Sequence, residues 1–228
     1  MSGLPDYEPP RLIAIEGPIR VGKTTLADFL ADRLHAERLR DIENNPFLGD
    51  FYQEKPGAAF AAQLYFLVHR FHQYQALDLA STARRVVVSD YLFDKDKVFA
   101  NLNLSDLELA LYDEYFALLA EQVPIPDLVI YLQAKPETLR RRIEKKNVPI
   151  ENAISDDYLE SVVKAYEHFF FHYHSSDLLV IDTSEIDFVG RSEDLDELLA
   201  RLKQPVKGTQ YYLPLGSRRG ATETEGNG

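Results

Sequence analysis

The chain has 228 residues, with 25 Lys and Arg against 37 Asp and Glu for a formal charge of −12, and it has no cysteine. That length suits one domain with a sizeable core, while the acidic surface disfavours nucleic acid or an anionic membrane as a partner. The lack of thiols excludes disulfides, cysteine-bearing metal sites and thiol catalysis.

Residues 1–10 read as an N-terminal extension, and MSGLPDYEPP lacks the basic-then-apolar pattern of a secretory leader. No later apolar run approaches the roughly 20 residues of a membrane span, so the expectation is a cytoplasmic protein. A first strand is predicted at Leu12–Ile15 and a helix at Thr24–Leu34. A weaker strand follows near Arg38–Ile42, then a helix at Gly57–Ala80, a strand at Val86–Val88 and a helix at Asp106–Glu121. The second half reads as a strand at Leu128–Leu132, helices at Pro136–Lys146 and Asp156–His172, a strand at Leu178–Ile181 and a helix at Glu193–Leu202. Gly208–Pro214 reads as a short strand or an ordered arm, and the polar, Gly-rich residues 215–228 as a disordered tail. The clear strands are continuously apolar, as strands buried on both faces are. Their alternation with helices implies a parallel α/β sheet with right-handed crossovers. The long connections, near Asp41–Lys55 and Lys146–Ser155, are where function is expected to concentrate.

The strongest chemical signal is Gly17-Pro18-Ile19-Arg20-Val21-Gly22-Lys23-Thr24-Thr25, which matches G-x-x-x-x-G-K-[ST] between a strand and a helix. Glycines let backbone N–H groups curl around phosphate oxygens, and the helix N-terminus adds partial positive charge. Lys23 is placed to reach the β- and γ-phosphates, and the Thr24 hydroxyl to hold Mg²⁺. The reading is a nucleoside triphosphate with Mg²⁺ as cofactors. A GTPase would need a base-reading N-K-x-D, and the nearest string is KKNV. Large motor ATPases need more chain, so a small kinase remains. Such an enzyme needs a cationic lid that excludes water. The segment LRRRIEKK supplies Arg140, Arg141, Arg142, Lys145 and Lys146, placing a lid near residues 140–155.

With these motifs the sequence resembles the deoxynucleoside kinases, in particular the bacterial deoxyadenosine and deoxyguanosine kinase branch. The segments that carry the resemblance are IEGPIRVGKTT, NNPFLGDFY, AAQLYFLVHRF, SDYLFDKDKVFA, PDLVIYLQA and PIENAISDDYL, across residues 11–214. The resemblance implies a P-loop NTPase-type three-layer fold with a parallel five-stranded sheet flanked by helices, packed as a homodimer. It implies ATP-dependent 5′-phosphorylation of deoxynucleosides, purine deoxynucleosides favoured, in nucleotide salvage. It also assigns acceptor residues: Tyr52 and Glu151 to the sugar 3′-hydroxyl, Gln63 to the base edge and Arg70 near the base. Gln63 and Arg70 lie two helical turns apart, on one face with Phe60 and Phe66, which suggests an aromatic-lined slot.

The pattern breaks in three places. The family's usual general-base Glu falls on Arg40, leaving Asp41 as the first candidate proton acceptor, Glu43 as the second and Asp90 as the third. The family's acid–Arg–Ser triplet is replaced by Ser89-Asp90-Tyr91. Asp90 suits a carboxylate that holds Mg²⁺ through water, and Lys95 or Lys97 stands in for the missing cation. In the lid, Asn147 and Val148 occupy positions where Gly and Arg are common, while Arg142 and Lys146 keep their charge. Two alternatives stay open: a nucleoside monophosphate kinase using Arg40 and Arg70 to bind the acceptor phosphate, and a catalytically inactive nucleotide sensor. The run His168-Phe-Phe-Phe-His172-Tyr-His174 reads as helix-end packing rather than a metal site, and the surplus apolar face on the helices near Ala58–Leu79 and Leu107–Leu119 as a dimer interface or deeper core.

Overall fold

The computed structural model describes residues 10–77 and 86–214. Residues 1–9, the last part of the helix predicted to reach Ala80 and the tail at 215–228 lie outside the described residues.

Six strands form one sheet: β1 (Leu12–Glu16), β2 (Glu37–Leu39), β3 (Val87–Ser89), β4 (Leu128–Gln133), β5 (Asp177–Asp182) and β6 (Thr209–Tyr212). They run in the order β2-β3-β1-β4-β5-β6, and every pairing is parallel. The expected five strands are therefore six. β6 joins β5 from Leu178↔Thr209 to Ile181↔Tyr212. Its sequence TQYY carries no buried apolar run because an edge strand has one neighbour and leaves every other side chain in water. β2 ends at Leu39, three residues before the predicted end, so Asp41 stands beyond the strand.

Side-chain parity sorts the sheet into two faces. Ile13, Ile15, Ile130, Leu132, Leu179 and Ile181 face one side and pack with α1 (Lys23–Leu34), α6 (Pro136–Lys146) and α9 (Ser192–Leu202). Ala14, Val129, Tyr131, Leu178 and Val180 face the other and pack with α4 (Lys95–Asn103) and α8 (Asp156–Phe171). Leu12 and Val87, on that second side, pack with α3 (Ala58–Gln75) and α5 (Asp106–Ala120). Three short elements escaped the sequence reading: α2 (Leu48–Tyr52), α4 and α7 (Pro149–Asn152). Each has fewer than three turns, too short to show a helical period. Of the aromatic run near His168, Phe170 and Tyr173 are buried at the end of α8, Phe170 stacking on Tyr131 at 4.1 Å between centroids, while His168, Phe171, His172 and His174 are exposed.

The carboxyl end of β1 runs straight into the phosphate loop, and two glycines shape the turn. Gly17 has φ 150°, and a Cβ there would lie 2.2 Å from the Leu132 carbonyl oxygen on β4. Gly22 has φ 112°, and its Cβ would lie 2.5 Å from Cζ of Phe188. The first obstacle is strand backbone and the second a side chain. Gly17→Ala should therefore destabilise more than Gly22→Ala, about 3–5 against about 1–3 kcal/mol from strain and overpacking. Phe188→Leu should offset part of the second loss and none of the first, as measured by chemical denaturation.

Candidate active site

The phosphate loop connects β1 to α1. Lys23, the first residue of α1, turns back over the loop and donates to the carbonyls of Gly17 at 2.6 Å and Pro18 at 3.0 Å. Burial pushes its ammonium pKa down, opposed by Glu16, reinforced by Lys95 and opposed again by Asp41 and Asp90. The Thr24 hydroxyl donates to Asp90 Oδ2 at 3.0 Å, so the two expected metal residues meet at the N-terminus of α1. A hydroxyl and a carboxylate are hard oxygen donors and fit Mg²⁺. Asp90 is 4% exposed, with Arg38 on Oδ2 at 2.9 Å and the Asp41 backbone N–H on Oδ1 at 2.6 Å. Thr25 sits partly buried on the first turn of α1.

Behind the loop lies a cluster of buried charges. Glu16, at 0% exposure, ends β1 on the sheet face shared by α4 and α8. Its oxygens accept from the backbone N–H of Gly17 and Leu92 at 2.8 Å and from the Tyr166 hydroxyl at 3.0 Å. Sequence reading passed over Glu16; the signal available was a carboxylate closing a wholly apolar strand. Asp41 receives Arg70 Nε on Oδ1 at 2.8 Å and Nη2 on Oδ2 at 3.1 Å, and its Oδ2 also receives Lys95 Nζ. Burial opposes ionisation of Asp41, but Arg70 and Lys95 outweigh it and hold its carboxyl well below the usual carboxylate range. Arg70 reaches a second carboxylate, Asp96, which is fully buried. Burial raises that carboxyl to about 6 against the pull of Arg70 and Lys95.

Lys95 thus supplies a cation beside Asp41 where the family's triplet Arg is missing. Lys97 does not: it is exposed, with its Nζ 4.6 Å from the Phe116 ring centroid. Arg40 is also outside the site, its side chain 68% exposed and paired with Asp28 at 3.2 Å. Glu43 is exposed in the connection after β2.

Next to these charges opens a cavity of about 180 Å³. Gln63, Arg70 and Lys95 line it, with Tyr52, Tyr158 and Asn103 as further polar groups. Its apolar wall comes from Ile19, Phe51, Phe66, Phe99 and Ile154 among others. Phe60 is absent from this wall and packs in the cluster under α3 and α5 instead, which corrects the expected slot. Gln63 is 6% exposed, and its Oε1 has no hydrogen-bond partner among the described residues. An unmet buried acceptor aimed at a cavity favours a ligand donor there. Burial first, then Tyr158 and Glu151, pushes the Tyr52 hydroxyl up to about 12, so it stays protonated. Tyr158 donates to Asn103 Oδ1 at 3.1 Å.

The segment expected to act as a lid spans α6, α7 and the start of α8. Arg140 ties it together, donating to Asp156 and to the Ile154 carbonyl at 2.6 Å. Arg142 faces away from the cavity. It donates to the carbonyls of Val21 at 3.2 Å, Thr183 at 2.7 Å and Ile186 at 3.0 Å, bracing the phosphate loop against the segment after β5. Arg141 and Lys146 are exposed on α6. Glu151, on α7, pairs with Arg20 of the phosphate loop at 2.6 Å.

This geometry has close counterparts. A family model for deoxynucleoside kinases matches residues 13–207. A deoxyguanosine kinase from Bacillus subtilis is 34% identical over 198 residues, 84% of this chain and 96% of that protein. A deoxyadenosine kinase from Lactobacillus acidophilus is 28% identical over 210 residues, 86% and 97% of the two chains. The solved structure of deoxyadenosine kinase from M. mycoides with bound dATP superposes with a TM-score of 0.71 at 25% identity, covering 85% of this chain and all of that one. The family match runs from β1 through α9 and includes the phosphate loop, the charge cluster, the cavity and the lid; the chain belongs to the deoxynucleoside kinase family.

Proposed function

We propose that the chain transfers the γ-phosphoryl group of ATP to the 5′-hydroxyl of purine deoxynucleosides, in nucleotide salvage. The observation that carries this is the contiguity of three parts: a cradle for phosphates, an ionised carboxylate between Arg70 and Lys95, and a cavity those same two cations line. Gln63 presents its amide to the base edge, and Tyr52 and Glu151 take the sugar 3′-hydroxyl. Asp41, whose oxygens accept from Arg70, Lys95 and the Ile42 backbone N–H, exchanges one of these donors for the 5′-hydroxyl. It orients that hydroxyl and accepts its proton as the 5′ oxygen bonds to the γ-phosphorus and the bond to the β–γ bridging oxygen breaks, releasing ADP. The transition state of such transfers is loose, so proton loss is late and a positioned carboxylate matters more than a basic one. This accords with an Asp41 held far below neutrality. Lys23 and Lys95 offset the charge gathering on the phosphoryl oxygens. Thr24, with Asp90 through water, would hold Mg²⁺, which supplies further charge neutralisation.

The monophosphate-kinase reading loses its support here, since Arg40 faces solvent and Arg70 is engaged by two carboxylates. The inactive-sensor reading rested on a missing cation, and Lys95 stands beside Asp41.

α5 supports a homodimer. It buries only Tyr112 and Phe116 and exposes Leu107, Leu111, Tyr115 and Leu118 at 83%, 44%, 48% and 64%. These four share one stripe, and a second copy of the same stripe covers it with matching chemistry. Among the described residues no helix is long and apolar enough to cross a membrane.

Four measurements check this. A product assay with ATP–Mg²⁺ should show monophosphates formed from deoxyadenosine or deoxyguanosine and no diphosphates formed from their monophosphates. In the same assay Asp41→Asn should slow single-turnover transfer by roughly 10²–10⁴, and Glu43→Gln should leave it near wild type; the reverse pattern moves the role to Glu43. Gln63→Ala should raise acceptor KM by roughly tenfold or more, the equivalent of about 1–3 kcal/mol for a lost buried amide pair, and flatten base preference. Finally, Leu111→Glu with Leu118→Glu should convert a dimer into a folded monomer in sedimentation velocity.

A further inference from the structure

The phosphate loop meets α7 through a side-chain pair, alongside the bond from Arg142 on α6 to the Val21 carbonyl. Arg20 stands in the middle of the loop with φ 59°, a left-handed backbone that a residue with a Cβ seldom adopts. Its guanidinium donates from Nε to Glu151 Oε2 and from Nη2 to Oε1, both at 2.6 Å. The two side chains are 29% and 16% exposed, so the pair is only partly open to water. On the loop side, neighbouring Ile19 lines the cavity. On the lid side, Glu151 is close enough to Tyr52, another cavity residue, to help raise its hydroxyl pKa.

We infer that Arg20 is the positioning residue for Glu151, holding its carboxylate beside Tyr52 so that the acceptor's 3′-hydroxyl meets it in one fixed orientation. The inference rests on the proposed reading of Glu151 and adds to it. A planar guanidinium grips both carboxylate oxygens at once and leaves the carboxylate no free rotation. A carboxylate offers about four lone-pair directions, and the fork takes two. The remaining lone pairs can accept from a sugar hydroxyl without breaking the pair. An isolated Glu151 on a helix of four residues would instead have to be ordered by the acceptor itself, at a cost in affinity. Arg20 also belongs to the loop that cradles the donor, so a full phosphate loop and a closed lid steady the same side chain.

The test uses Arg20→Gly and Arg20→Lys. Gly suits a φ of 59°, so the loop keeps its shape and the variant should melt no lower than wild type. Acceptor kinetics are compared for a 2′-deoxynucleoside and for its 2′,3′-dideoxy counterpart, which lacks the hydroxyl in question. Arg20→Gly should lower kcat/KM about tenfold for the first, mainly through KM, as expected for one disordered hydrogen bond. Any effect through the donor loop falls on both acceptors alike, so the loss should be several-fold larger for the first than for the second. Arg20→Lys should recover only part of the loss, since a point charge cannot hold both oxygens. Calorimetric binding of the same two acceptors gives an equivalent reading without turnover. An equal loss for both acceptors, or no loss for either, overturns the inference. Equal use of both acceptors by the wild-type enzyme overturns it together with the Glu151 assignment and leaves 5′-phosphorylation standing.

Discussion

Arg70 is 4% exposed and bonded to two carboxylates that come from different parts of the chain: Asp41 beyond β2 and Asp96 in the first turn of α4. A buried guanidinium without partners is strongly unfavourable, and breaking a buried pair by removing one member typically costs about 3–5 kcal/mol. The chain beyond β2 and the start of α4 are therefore held against α3 for electrostatic reasons. Lys95 closes the arrangement by bonding Asp41, with Glu16 4.0 Å from its Nζ. The cavity forms where these elements converge, so Arg70 and Lys95 of the cluster that holds them together also make part of its polar wall.

The same constraint explains why Asp41 stays ionised although it is mostly buried. Arg70 and Lys95 both hydrogen-bond Asp41 and outweigh its desolvation, whereas Asp96 is fully buried, bonded only by Arg70 and repelled by Asp41, and is raised to about 6. Two aspartates near the same two cations are thereby pushed in opposite directions by burial, direct bonding and their mutual repulsion. On the donor side the control is steric. Glycines at 17 and 22 let the loop pass against the β4 backbone and the Phe188 ring, and Arg142 braces the Val21 carbonyl from behind. The phosphate loop is thus shaped by backbone contact and the polar wall of the cavity by charge pairing, and the Arg20–Glu151 pair ties the loop to α7.

Much of this was legible in the residues. The four clear apolar runs announced parallel strands, because a strand covered on both faces needs no alternation. The phosphate loop was readable because its chemistry is local: backbone turn, lysine and hydroxyl all fall within nine residues. Tyr52, Gln63, Arg70 and Glu151 required the family resemblance, since each alone is an ordinary surface or packing residue. β6 was left open between strand and arm because an edge strand of four residues has too little buried surface to mark itself. α4 was missed because its nine residues carry buried charges, Lys95 and Asp96, on the face where a helical pattern is expected to be apolar.

By itself, then, the sequence determined the parallel α/β class, the phosphate cradle and the nucleotide it calls for, because those depend on periodicity and on groups adjacent along the chain. It left open which of the candidate carboxylates stands among cations and which of the two lysines stands beside it. Those choices depend on through-space pairing across tens of residues: Asp41 to Arg70 and Lys95, Arg40 to Asp28, Lys97 to the Phe116 ring. Adjacent residues such as Arg40 and Asp41 end on opposite sides of that decision. Past the end of a strand, successive side chains point to different neighbours, and only the packed helices determine which neighbour carries the matching charge.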